Sequence, residues 1–318
     1  MKKTFIMIFI LAILFFPSYN TLQAAEADVY VSIYPIYEIA ERIGGERLNI
    51  NQVTPDGTEV HGYEPSPRIL GQLENSDLFI YVGEHLQGWT ESTAENLKTQ
   101  GVQVINLTDH VELIEYRGTY EEENHNHEHE DDEHSNHDEE DHEHGQYDNH
   151  IWLDFNNMIL ISELLTEEFS KLDPDGEEIY KSNAEEVIKD FKELDQAYKK
   201  GLQELEHDTI IVSHAAFGYI AKNYNLKQEA VTGLDPYSEP SSQTIRELID
   251  LAQETGLEHI FLEVLASPRA VNVIAEEAGL EVLTLNPVAG LREEDIENDE
   301  NYFTIMYTNL ENLKKALK

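Results

Sequence analysis

Beyond residue 27 the chain alternates short apolar runs with amphipathic stretches. Residues 28–33 read as a strand and 34–43 as a helix stopped by Gly44 and Gly45. Strands follow at 47–53, 78–82 and 102–107, with helices at 65–74 and 89–98 between them. The second half repeats the rhythm, with strands at 209–213, 228–232, 259–263 and 281–285 and helices at 215–224, 241–255, 268–278 and 302–317. Such alternation predicts parallel sheets, because a parallel connection needs a crossover long enough to hold a helix.

Between the halves, Ile179, Val187, Ile188, Phe191, Leu194, Tyr198, Leu202 and Leu205 recur at helical spacing, and the turn residues 173–176 precede them. A helix over 174–206 would span about 45–50 Å. The expected architecture is therefore α/β: two parallel-sheet lobes, 28–173 and 207–318, joined by one long linking helix at 174–206. One continuous doubly wound sheet with a long insertion is the alternative.

Two segments break the pattern. Lys2 and Lys3 precede an apolar run over 5–16, then Pro17 and the small residues Ala24, Ala25 and Ala27. This predicts a signal peptide over 1–27, since a helix of that run reaches only about 18 Å against the ~30 Å hydrocarbon core. The mature protein is then expected to be soluble, in the periplasm or outside the cell. The second segment, 121–148, holds fourteen Asp or Glu and seven His with no Lys or Arg. It has almost no apolar residues with which to build a core and is expected to be a disordered loop in the first lobe.

Composition narrows the chemistry. Sixty-four acidic residues against 21 basic ones give a net charge of −43, which repels a phosphate backbone and excludes nucleic acid as a partner. The absence of cysteine removes disulfides, thiolate metal sites, thiol catalysis and attachment of a lipid through an N-terminal cysteine. Any metal must be held by His, Asp and Glu.

Seven of the fourteen histidines lie outside the acidic segment. His214 directly follows the strand at 209–213, at the carboxyl end where ligands of open α/β sheets bind. His61 lies in the loop after the strand at 47–53, and His150 stands where the apolar pattern resumes. One histidine from each lobe and one between them suit a metal in the cleft. His85, His110, His207 and His259 are read as ordinary hydrogen-bonded side chains.

The local sequences around the trio are more specific. TPDGTEVHGYEPSPR at 54–68, DNHIWLD at 148–154 and VSHAAFGY at 212–219 resemble the three histidine motifs of the zinc-uptake solute-binding proteins of bacterial ABC transporters, the ZnuA-like family. The resemblance extends to Tyr34-Pro35, the His/acid-rich insertion, GLDP at 233–236, Glu239-Pro240-Ser241 and LNP at 285–287. It implies two lobes around a cleft, a rigid linking helix, Zn(II) held by His61, His150 and His214, a membrane permease as partner, and a monomer without enzymatic activity.

Neutral imidazoles suit zinc, copper and nickel better than manganese or magnesium, and the lack of cysteine with only four methionines favours zinc over copper. Many relatives carry a carboxylate as fourth ligand shortly after the final strand, where this chain has Asn286 to Gly290. Water is expected there, with Glu59 or Glu263 as substitutes. The acidic loop is expected to offer weak, open zinc sites. A secreted zinc hydrolase is the rival reading, because three histidines and a water also make a catalytic centre, but no His-Glu-x-x-His is present. A metal-binding surface adhesion protein is a third, unsupported by repeats or a cell-wall signal.

Overall fold

The structure is a computed structural model that describes residues 27–83, 85–116 and 147–318. The predicted signal peptide up to residue 26 and the acidic segment up to residue 146 lie outside the described residues.

The first half runs β1 (Asp28–Val31), α1 (Tyr34–Gly44), β2 (Asn49–Gln52), α2 (Pro67–Leu73), β3 (Leu78–Tyr81), α3 (Thr90–Gln100) and β4 (Gln103–Asn106). A small antiparallel pair follows, β5 (Ile114–Glu115) with β6 (Tyr147–Asp148). Then come two long helices, α4 (Phe155–Leu172) and α5 (Glu177–Gly201). The second half is β7 (Thr209–His214), α6 (Gly218–Asn223), β8 (Lys227–Thr232), α7 (Ser242–Thr255), β9 (His259–Leu262), α8 (Arg269–Ala278), β10 (Glu281–Thr284), α9 (Glu293–Glu297) and α10 (Tyr302–Ala316).

Two separate four-stranded sheets form, ordered β2-β1-β3-β4 and β10-β9-β7-β8, and their pairings are parallel. This decides against one continuous sheet. The second order is the first read from the other edge, with β7 in the place of β1. In each half the first strand has the second strand on one side and the third on the other. The crevice beside the carboxyl ends of those strands is where an open α/β sheet receives a ligand.

One apolar core runs through both halves, from Val29 and Val31 through Ile36, Phe155, Phe169 and Phe191 to Val212, Leu285 and Leu310, all buried. The face of α5 within it is Tyr180, Ala184, Val187, Phe191, Leu194 and Tyr198, at the spacing a single helix face requires. α5 packs on α1 of the first half and on α10 at the chain's end. It is shorter than expected, 25 residues or about 37 Å, because Pro174–Gly176 form a separate turn and the helix ends at Gly201.

Two further differences matter. α4 is not among the helices the pattern predicts, since Met158, Ile159, Leu160 and Ile161 are consecutive apolar residues that blur its face, while Leu160 is left exposed. Its start was written in Asp154, whose carboxylate caps the helix by accepting the N–H groups of Asn156 and Asn157 at 2.8 and 3.2 Å. The expected disordered segment also ends too late: Tyr147 and Asp148 form β6, and Asp148 is 2 % exposed.

Candidate metal centre

The three histidines that the sequence singles out come together. His214 is the last residue of β7, His61 lies in the loop after β2, and His150 follows β6. Their ring centroids are 5.2–5.5 Å apart. One potential ligand atom from each lies within 4.8 Å of the others. His150 and His214 are each 2 % exposed, and the His61 side chain 11 %. His85, His110, His207 and His259 do not line this cavity.

Each imidazole is fixed by a carboxylate on its Nδ1. His61 Nδ1 lies 2.6 Å from Glu59 Oε1, His150 Nδ1 2.7 Å from Asp148 Oδ1, and His214 Nδ1 2.5 Å from Glu263 Oε1. The carboxylates are held in turn. Glu59 accepts the backbone N–H of His61 and Gly62 at 3.0 and 3.3 Å, Asp148 that of His150 at 2.9 Å, and Glu263 the Ser213 hydroxyl at 2.6 Å. A carboxylate on Nδ1 makes that nitrogen the donor and leaves the Nε2 lone pair for a cation.

The Nε2 atoms of His150 and His214 are 3.2 Å apart. Two nitrogens bound tetrahedrally at zinc–nitrogen distances of about 2.0–2.1 Å would be separated by about 3.3–3.4 Å. The buried pair therefore stands near the spacing of metal ligands. Electrostatics differ between the two. Burial pushes the His150 imidazolium down, more than neighbouring Asp148 raises it. Burial also opposes charge on His214, but Glu263, helped by Glu59 and Asp148, holds its pKa above the ordinary value.

The cavity in front of the rings measures about 320 Å³ and is lined also by Val264, Leu265, Ala289 and Gly290. Ala289 thus faces the cavity and adds no donor. Its loop is held hard. The Asn309 side chain brackets the Asn286 backbone, its Oδ1 accepting the Asn286 N–H at 2.9 Å and its Nδ2 donating to the Asn286 carbonyl at 2.6 Å, and Trp152 Nε1 donates to the Pro287 carbonyl at 2.6 Å. Val288 sits at φ +59°, a left-handed conformation that costs a β-branched residue roughly 1–3 kcal/mol and persists because the surroundings enforce it.

Glu59 and Glu263, considered from the sequence as substitute fourth ligands, are engaged instead on His61 and His214. Sequence reasoning missed Asp148, which it placed inside the acidic segment. Asp148→Asn should lower zinc affinity about 10–100-fold while leaving the fold intact, the usual cost of losing a carboxylate behind a ligating histidine. Competition against a chromophoric chelator checks this, and unchanged affinity would remove Asp148 from the site.

Two βα lobes meeting over a buried cluster of carboxylate-held histidines define a bilobed solute-binding protein with its site in the cleft. The family model described as zinc-uptake complex component A, periplasmic, matches residues 29–316, and the chain belongs to that family. It is 32% identical over 318 residues to the zinc-binding lipoprotein AdcA of Streptococcus pneumoniae, an alignment covering 99% of this chain but 61% of that relative. It is 33% identical over 291 residues to the high-affinity zinc uptake system protein ZnuA of Bacillus subtilis, covering 91% and 87% of the two chains. The crystal structure of the Zn(II)-bound ZnuA-like domain of pneumococcal AdcA superposes with a TM-score of 0.74 at 29% identity, over 92% of this chain and 99% of that one.

Proposed function

We propose that this protein captures Zn(II) outside the cytoplasm at His61, His150 and His214 and delivers it to the membrane permease of an ABC transporter for zinc uptake. The observation that carries the reading is the arrangement of three imidazoles whose Nδ1 atoms are all committed to carboxylates, two of them with Nε2 atoms 3.2 Å apart. With Zn(II) bound, the ion's two positive charges would offset two of the three negative charges of the ionised Glu59, Asp148 and Glu263 carboxylates. Water completes the coordination, beside Ala289.

A carrier fits this site better than a hydrolase. A hydrolytic zinc centre needs a base free to take a proton from the metal-bound water. The two carboxylates among the residues lining the cavity, Glu59 and Glu263, are each committed to a histidine. No helix among the described residues is long and apolar enough to cross a membrane. The predicted export signal and the family's periplasmic description support a place outside the cytoplasm. The pneumococcal relative is named a lipoprotein, whereas these 318 residues contain no cysteine to carry a lipid. The acidic charge favours cations over nucleic acid, and the carrier acts as a monomer.

The experiment is metal analysis of untagged protein recovered from its own host, together with growth of a deletion strain in chelated medium. One tightly held zinc per chain is expected, with growth restored by added zinc. A different resident metal, or normal growth of the deletion strain under chelation, would overturn the reading.

A further inference from the structure

Tyr237 stands apart among the residues around the metal cavity. It belongs to the second half, on the turn after β8, yet its ring reaches the first. A methyl group on Gly62 would lie 2.7 Å from the Tyr237 hydroxyl and 2.8 Å from its Cε2. Glycine beside His61 is what allows the ring this close. The turn is anchored behind: the Tyr237 N–H donates to Asp235 at 2.8 Å, and the Ala215 N–H donates to the Gly233 carbonyl at 3.1 Å, next to His214.

The phenol also lies close to Glu59, the carboxylate that holds His61. Burial and then the Glu59 charge keep its pKa above the ordinary value. The residue as a whole is nevertheless 62% exposed. It stands between two cavities, the metal cavity of about 320 Å³ and a neighbour of about 390 Å³ on the side of α7 and α8. Tyr237, Pro236, His214, Ala266 and Ser267 line both.

We propose that Tyr237 is the gate of the metal cavity: its ring, seated on Gly62 across the two halves, closes the path by which the ion enters and leaves. This inference rests on the zinc reading above. The ring is held by a glycine and one carboxylate neighbour while most of it faces solvent, so it can swing at little cost. Exposed side chains change rotamer within picoseconds to nanoseconds, whereas the buried histidines stay in place. A gate that does not touch the ion changes both rates and leaves their ratio alone.

The test is stopped-flow zinc exchange on the full chain, with a fluorescent chelator for release and direct mixing for uptake. Tyr237→Ala should raise both rate constants about tenfold and leave Kd within about threefold of the parent. Unchanged rates in Tyr237→Ala would overturn the gate. So would an affinity loss above tenfold with an unaltered melting temperature, since that marks a residue of the site itself. Failure of the parent protein to bind zinc would sink the zinc reading and the gate together, whereas a zinc-binding parent with ungated exchange sinks the gate alone.

Discussion

Replacing His150 with alanine should weaken zinc binding by more than the ~10–100-fold that loss of an outer carboxylate costs, because it removes one of the three proposed ligands outright. His150 is the best placed of the three for this test. It is buried, its Nε2 faces that of His214, and the Trp152 ring stands 5.3 Å behind it. The substitution also strands the buried Asp148 carboxylate without its imidazole partner, which adds a stability cost in the metal-free protein. The affinity should therefore be read by chelator competition alongside the melting temperature of the metal-free variant. His61→Ala and His214→Ala should behave alike. Any one of the three that keeps the parent affinity after substitution is not a ligand.

Acid will release the metal. Each ligating imidazole must shed its proton before it binds, so protons compete with zinc wherever the histidines are protonated. The His214 pKa is held above the ordinary value of about 6.5 by Glu263, so protons begin to compete there before pH 6.5 is reached. The His150 pKa is pushed down by burial, so it enters the competition only at lower pH. Affinity should be flat at alkaline pH, fall by at least about tenfold per unit below pH 6.5, and steepen as further imidazoles take protons. Titrations at pH 7.5, 6.5, 5.5 and 5.0 measure this. A flat profile down to pH 5 would mean that imidazoles do not hold the ion.

Much of this architecture was legible in the residues. Strands such as Leu78–Tyr81 and Thr209–His214 are buried throughout, and a strand covered on both faces announces itself as a short continuous apolar run. α4 went unread although Phe155, Met158, Ile161, Leu165 and Phe169 recur at three and four residues, because the neighbouring apolar residues Ile159, Leu160 and Leu164 widen that stripe. The histidine trio could be named from local motifs, but its supporting carboxylates could not. Glu59 and Asp148 each stand two residues before their histidine and accept both its backbone N–H and its ring. The same spacing recurs at Glu123 and His125, Asp132 and His134, and Glu140 and His142, so it does not discriminate. Glu263 lies 49 residues from His214, and only the pairing of β7 with β9 brings the two together.

The long helix α5 has a mechanical consequence. Clamped on α1 toward one half and α10 toward the other, with Tyr198 donating to the Met306 carbonyl at 2.7 Å, it acts as an axle rather than a hinge. Opening the halves like a jaw would break the hydrogen bond from the Tyr302 N–H to the Glu38 carboxylate of α1 at 2.8 Å and the apolar core that both halves share. Loading is therefore expected to alter only the rim of the cleft, and the hydrodynamic radius measured with and without zinc should agree. If that holds, a docking partner that tells full carriers from empty ones would have to feel that rim by touch, since the silhouette would be the same in both.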